Sequence, residues 1–476
     1  MALSPTKSTN ADFSQDTTCS LADHPLSQDG LSEKPSHHQT PRVGQVCEIT
    51  LEKQQDTTHR LGWIRLTFAL VVESVALGSL SLPAAFATLG MVASVICCIG
   101  LGLVAIYTGF LVGKVKLRYP HVAHYADSGR LLMGNFGYEL FGAMFSLSIV
   151  FVIASHVLTG TIAFVNITNS GLCSAIFGFI STLLLLILAI PPSFADIAIL
   201  GYIDFVSILA AIGLTMIATG IQASKASGLS ASNWSAWPKP GITFIDAFVA
   251  IANIIFAYTF CVGQFSFMDE MHTPRDFMKS IWLLGVLEIS IYTLTGAIIY
   301  SFVGVDVKSP ALLSAGDQIS KIAFGIALPV IFISGSINTT ILGRYFHGRI
   351  FEKNSPDYYV KTPKGWAVWL IIVTCISFAA FLIAELIPFF NPLLSLLSSL
   401  FVSGFCFYLP AIMWYRLLRH GSWYARKNIA NSLMSLLSFL VGVIVLVCGT
   451  YASVANIIQL FQEGDIGEVF TCKPVG

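Results

Sequence analysis

Residues 63–86 read Trp63-Ile-Arg-Leu-Thr-Phe-Ala-Leu-Val-Val-Glu73-Ser-Val-Ala-Leu-Gly78-Ser79-Leu80-Ser81-Leu82-Pro83-Ala-Ala-Phe86. The stretch is long and apolar enough to match the ~20 residues that cross a bilayer. It also places a carboxylate, a glycine, serines and a proline between Glu73 and Pro83. Polar and helix-breaking residues are costly in lipid, so function is sought there first. Proline removes a helical donor, and the pattern predicts a helix broken near Gly78 to Pro83, with a simple packing kink as the competing reading.

Working outward, ten more apolar stretches follow, near 90–113, 137–165, 172–190, 197–221, 244–267, 281–303, 319–341, 366–389, 393–414 and 433–460. The whole chain of 476 residues is 55% hydrophobic and 11% charged, against roughly 25% charged in soluble domains. A soluble globular protein is excluded, and a lipid bilayer is the expected surroundings. With 26 basic and 26 acidic residues the net charge is zero, which leaves no field for nucleic acid. The expected fold is an all-α polytopic membrane protein of about 11 transmembrane helices.

Lys and Arg set the orientation. With the N-terminus inside, the inner loops hold 15 of them, the outer segments 5 and the N-terminal side 6. Residues 1–60 are polar, poor in aromatics and without the apolar core of a secretory signal, so a disordered cytoplasmic tail is expected. The membrane-embedded body is placed at 61–460, with halves at 61–223 and 244–414, an extra helix at 430–460 and a short extracellular or luminal tail at 461–476. Trp63, Trp282, Trp366 and Trp414 fall near helix ends, as interfacial anchors do. Of the sequons at Asn166, Asn233 and Asn338, only Asn233 is far enough from the bilayer to be glycosylated. The ten cysteines form no CxxC pair; Cys173 and Cys472 share the outer side, either bridged or as two free thiols.

A second break is expected in the sixth span, at Tyr258-Thr-Phe260-Cys-Val-Gly263-Gln264-Phe-Ser266, before the charged exit Asp269-Glu270-Met-His-Thr-Pro274-Arg275-Asp276-Phe-Met-Lys279. Spans one and six are corresponding members of two five-helix halves. Interrupted helices at matching positions point to a transporter site on an inverted repeat. Helix ends exposed at such breaks suit both the carboxylate and the ammonium group of an amino acid.

The segment Phe256-Ala-Tyr258 through Glu270-Met-His-Thr-Pro274-Arg275-Asp276-Phe277-Met-Lys279 resembles the signature of the amino acid/auxin permease family. The strings Gly78-Ser-Leu-Ser-Leu-Pro-Ala-Ala-Phe-Ala-Thr-Leu-Gly90 and Ala154-Ser-His156-Val-Leu-Thr-Gly160 are similar to its fungal neutral amino acid permeases of the methyltryptophan-resistance type. The resemblance covers roughly 60–460. It implies a leucine-transporter-type five-plus-five inverted repeat plus one helix, with substrate between spans 1, 3, 6 and 8. Ala76 stands where members often have the first of two glycines. The sodium-dependent branch tends to carry Asn near Val72 or Glu73; none is present, which favours H+ over Na+ as the coupling ion.

The residues expected to hold substrate are Gly78, Ser79, Leu80 and Ser81 in span one, Tyr258, Phe260, Gly263 and Gln264 in span six, and Ser334 and Asn338 in span eight. Ser334 and Asn338 lie one turn apart within a run of small hydroxylated residues, where close helix packing is the bland alternative. Glu73, His156 and Glu288 are the candidate proton carriers, each against a purely structural hydrogen-bonding role. Asp269, Glu270, Arg275, Asp276 and Lys279 read as an inner gate or ion-pair network. Apart from Arg65 and Lys321 at the ends of their stretches, no Lys or Arg lies within a span to pair an acidic side chain, so a neutral amino acid substrate is expected, with Phe145, Phe260 and Phe265 available to line an apolar pocket.

An enzyme is not expected, since HExxH, GxSxG and GxxxxGK[ST] are all missing. His121, His124 and Asp127 have a spacing that admits metal ligation, but a solvated loop explains them better; no metal or cofactor is expected. Other readings are a nutrient sensor signalling through the tail and, against plasma membrane residence, a vacuolar transporter.

Overall fold

The computed structural model describes residues 62–169, 172–192, 194–225, 232–269, 271–352 and 355–463, without the side chains of Ala69, Glu73 and 194–200. The expected N-terminal tail, most of the expected C-terminal tail and Glu270 lie outside the described residues.

All the regular structure among the described residues is helical. In chain order the helices are α1 Trp63–Leu89, α2 Met91–Arg118, α3 Tyr125–Thr168, α4 Ser174–Leu188, α5 Phe194–Lys225, α6 Phe244–Ala257, α7 Gln264–Asp269, α8 Phe277–Val303, α9 Asp317–Ile350, α10 Pro363–Leu386, α11 Phe390–Leu418 and α12 Ile429–Glu463. Every apolar stretch predicted from sequence coincides with helix, α6 and α7 together making the sixth. Among the described residues eight helices are long and apolar enough to cross a membrane, α1 makes a ninth when its two bent segments count as one span, and α4 and α6 are shorter apolar helices. The protein is a polytopic membrane protein. Helix is the outcome because lipid offers backbone groups no partner, so each span must bond within itself.

α1 and α9 form the centre of the bundle. α1 packs on α8, α6 and α5, while α9 packs on α5 and α3. Hydroxyls along these helices bond back to carbonyls one turn earlier, as Thr159 does to Ser155, Thr339 to Gly335 and Thr340 to Ser336, which hides polar side chains without breaking the helix.

The expected break near Gly78 to Pro83 is not observed. α1 stays helical through this stretch and instead bends by 41° between Trp63–Val72 and Ser74–Leu89. Ser79 Oγ donates to the Val75 carbonyl at 2.7 Å and Ser81 Oγ to the Gly78 carbonyl at 3.0 Å. Gly78 serves close packing: a Cβ there would lie 2.8 Å from the Ala257 Cα. The sixth span is interrupted as expected, since α6 ends at Ala257, a single 3-10 turn covers Thr259–Cys261, and helix resumes at Gln264.

α3 begins earlier than the predicted 137 and kinks at Met133 and Gly134. Its N-terminus is capped by Asp127, whose Oδ2 accepts from the Ala123 and His124 N–H groups. That places Asp127 in a helix cap, and no group of three or more metal-ligating side chains occurs among the described residues. Cys173 is disulfide-bonded and so is not a free thiol; Cys472 lies outside the described residues. Asn233 is exposed between α5 and α6, whereas Asn166 accepts from Ser320 Oγ at 3.2 Å. Trp282 and Trp366 are exposed, but Trp414 is buried.

Candidate functional site

An enclosed cavity lies where α1, α3, the α6–α7 interruption and α9 meet. Its walls are Ser74 and Leu77 of α1, Ile149, Val152 and His156 of α3, Phe256, Thr259 and Val262 around the interruption, and Asn338 of α9. The spacings are helical, so each element presents one face. The free volume is about 10 Å³, room for about one water molecule.

Two of the four polar side chains of the wall, His156 and Asn338, carry buried atoms with no hydrogen-bond partner among the described residues. Asn338 Nδ2 donates to the Ser334 carbonyl at 3.1 Å, but its Oδ1 has no partner. Neither ring nitrogen of His156 is bonded; the Ile331 backbone of α9 faces the ring without meeting hydrogen-bond geometry. Ser334 Oγ, one turn before Asn338 but not on the cavity wall, is also buried and unbonded. α9 comes this close to His156 because residue 335 is glycine, where a Cβ would lie 3.0 Å from the His156 Cβ. Buried polar groups are normally satisfied, so a cluster of free donors and acceptors is the mark of a site built for a polar ligand.

A second layer stands behind the cavity. Ser74 Oγ lies 2.5 Å from Glu288 Oε1 of α8 and 2.9 Å from the Leu70 carbonyl. A hydroxyl has one proton for two such oxygens. When Ser74 donates to Leu70, Glu288 must be the donor and hence protonated; when Ser74 donates to Glu288, the carboxyl needs no proton to complete the pair. The proton on Glu288 is thereby linked to the orientation of a hydroxyl that faces the cavity. Next to it, Tyr292 donates to the Ala257 carbonyl at 2.7 Å, at the lip of the interruption.

The other sequence-predicted residues fall elsewhere. Ser79 and Ser81 are engaged within α1, and Gly78 and Leu80 are buried in helix packing. Tyr258 turns outward to donate to the Cys98 carbonyl of α2 at 2.7 Å, and Gln264 Nε2 donates to the Gly109 carbonyl at 2.7 Å. Phe260 is the side chain that Gly109 makes room for. Gly263 lies in the turn between Cys261 and α7. The Glu73 side chain lies outside the described residues.

At the end of the bundle where α2, α7 and α9 finish, a second cavity of about 180 Å³ is lined by His121, His124, Ser266, Asp269, Ile341, Tyr345 and Arg349, among others. Ser266 and Ile341 lie about one turn beyond Val262 and Asn338, so the two spaces are stacked. Phe145, one turn from Ile149 of the first cavity, packs on two residues of the second, its ring 6.2 Å from His124 and 5.5 Å from Tyr345. Lys116 ties this end together: its Nζ donates to Asp269 Oδ1 at 2.5 Å and to the carbonyls of Pro120 and Val122. His124 Nδ1 meets Ser266 Oγ at 2.8 Å, and Arg349 pairs with Glu139 at 2.7 Å. Of the residues expected at a gate, Asp269 takes part, through Lys116. Asp276 and Lys279 pair locally at 2.8 Å, and Arg275 has no ion pair among the described residues.

Sequence reasoning missed Ser74, Leu77, Ile149, Val152, Phe256, Thr259 and Val262. Counting back from His156 by one and two turns would have found Val152 and Ile149. It also missed Asp204 of α5, buried with neither oxygen bonded among the described residues. Its neighbours Tyr202 and Phe205 meet Phe68 of α1, tilted and edge-on respectively, and Ser207 donates to the Ile326 carbonyl of α9. A carboxylate inside an apolar stretch was signal enough.

The family described as "Transmembrane amino acid transporter protein" matches residues 59–455. Among curated proteins, the chain is 53% identical over 420 residues to the "N amino acid transport system protein" of Neurospora crassa, covering 88% of this chain and 89% of that one. It is 26% identical over 453 residues to a "Transmembrane transporter" of Fusarium pseudograminearum, covering 93% and 95%, and 26% identical over 433 residues to one of Gibberella moniliformis, covering 90% and 91%.

Proposed function

Because the chain belongs to the transmembrane amino acid transporter family, we propose that it imports neutral aliphatic and aromatic amino acids by proton symport, alternating access to the cavity between α1, α3, α6–α7 and α9. The observation that carries this reading is the chemistry of the wall. Leu77, Ile149, Val152, Phe256 and Val262 are apolar, the polar members are Ser74, His156, Thr259 and Asn338, and no charged residue lines it among the described residues. An uncharged side chain fits such a wall, while the free polar atoms of His156 and Asn338 address the α-amino and α-carboxyl groups. The Neurospora relative's name, an amino acid transport system, accords with this cargo.

A cavity with room for about one water cannot hold an amino acid, so α1 and α6 must part from α3 and α9 for substrate to enter. The stacked second cavity supports a path toward the basic end, with Phe145 as the thin partition and Lys116–Asp269 as the latch. The excess of Lys and Arg at that end supports placing it in the cytoplasm, the N-terminus with it and the C-terminus outside. We place the protein in the plasma membrane, with Asn233 as a glycosylation acceptor. Glu288, through Ser74, is the favoured proton carrier, and His156 the group beside the substrate whose charge the proton can change.

The test is uptake of labelled phenylalanine and leucine into sodium-free liposomes containing the purified protein, under an imposed inward proton gradient. Concentrative uptake that collapses with a protonophore is expected. Uptake that ignores the proton gradient but follows sodium overturns the coupling, and saturable binding without uptake favours a sensor.

A further inference from the structure

A third cavity, about 520 Å³, opens at the basic end between the C-terminal turns of α2, the end of α11 and the start of α12, away from the transport path. Lys114, Arg118, Arg419, His420 and Lys427 line it, and no acidic residue does. None of the four Lys and Arg side chains has an ion pair among the described residues. The segments that build it contain none to offer: no Asp or Glu occurs between Glu73 and Asp127, or between Glu385 and Glu463. Arg118 Nη1 donates to the Leu417 carbonyl at 2.7 Å and lies 3.3 Å from His420 Nε2.

The cavity faces lipid as well as water. Trp423 and Tyr424, on the same loop, are 56% and 66% exposed, as amphipathic rings in a headgroup layer are. Leu433, Leu436, Leu437 and Leu440 then run exposed along α12, and Ile96, Ile99 and Leu103 along α2. The two helices are joined by the Tyr107 hydroxyl, 2.8 Å from Ser435 Oγ and 2.9 Å from the Asn431 carbonyl. A cationic pocket thus opens onto an apolar seam, the arrangement that takes a lipid headgroup and its chains together.

We propose that this pocket binds the phosphate-bearing headgroup of an anionic membrane lipid, whose acyl chains lie along the exposed faces of α2 and α12. The charge count and the continuity with the apolar seam favour a lipid over free phosphate. The inference requires the chain to sit in a membrane and is independent of the cargo or its coupling ion.

The test uses the full-length protein in nonionic detergent, titrated with dioctanoyl phosphatidylinositol 4-phosphate, dioctanoyl phosphatidylcholine and inorganic phosphate. Saturable binding of the anionic lipid alone is expected. The triple variant Arg118→Gln/Arg419→Gln/Lys427→Gln should bind it about a hundredfold more weakly, roughly fivefold per charge. The charge-keeping Arg118→Lys/Arg419→Lys variant, which guards against a folding defect, should keep most of the affinity, and Lys361→Gln/Lys364→Gln, which removes exposed cations at the same end elsewhere, all of it. Equal binding of phosphatidylcholine, unchanged affinity in the triple variant, an equal loss in the Lys361/Lys364 control, loss of affinity in the charge-keeping variant, or inorganic phosphate binding as tightly as the lipid overturns the proposal.

Discussion

α1 and the α6–α7 pair meet at the cavity, and both carry glycine and polar residues in mid-span, yet only one of them is interrupted. In α1 the polar groups turn inward on their own helix: Ser79 and Ser81 bond carbonyls three or four residues back, and Gly78 lets Ala257 come close. In the sixth span the carbonyls are taken by groups that do not continue a helix. Tyr292 of α8 holds the Ala257 carbonyl, Thr259 Oγ1 turns onto the Phe256 carbonyl, and the neighbouring Tyr258 is pulled toward α2. The difference teaches that a break in lipid is stable where another element takes over the freed backbone groups, and that glycine and proline alone do not make one.

Gly78→Leu is the severest way to break the comparison, since even a Cβ meets Ala257 at 2.8 Å. If Gly78 is a packing glycine, overpacking costs about 1–3 kcal/mol and forces α1 off α6; uptake should fall below detection with a lowered melting temperature. Normal uptake would mean that α1 does not bear on α6 there.

Glu288→Gln comes next. It keeps the shape beside Ser74 but removes the titration, so proton-driven accumulation should be lost while exchange of labelled for unlabelled amino acid persists. A carboxyl that works by exchanging protons makes transport depend on pH, and the variant's exchange should be flat across pH 5 to 8. Full accumulation by the variant would leave Glu288 a structural role.

Tyr292→Phe leaves the Ala257 carbonyl without its donor, and roughly 1–3 kcal/mol of stability is expected to go with it, read as a shift in thermal melting. Ser81→Ala should cost less than about 0.5 kcal/mol, because the hydroxyl only supplements a continuous helix. Equal costs for these two would erase the distinction between a break held from outside and a helix that holds itself.

Much of the fold was legible because lipid imposes one rule on every span, a long apolar run that bonds to itself. Positions of the helices and the interruption around Gly263 follow from such patterns. His156 and Asn338 stood out because a polar group in an apolar span must have a reason to be there. Leu77, Ile149, Val152 and Val262 did not, since an apolar side chain facing the cavity and one facing a neighbouring helix are chemically alike. Tyr258 and Gln264 show the opposite error, polar residues at the right height whose side chains are spent on α2 carbonyls.

By itself, then, the sequence determined that this chain is a polytopic helical membrane protein, where its apolar helices run, and that His156 and Asn338 are polar residues deep within them. Those follow from composition and local periodicity. The tertiary structure decided which of two similar spans is interrupted, which faces turn toward the cavity, and that Glu288 reaches it through Ser74. Each of these depends on a donor or acceptor supplied by a helix far away in the chain, and no local pattern records that partner.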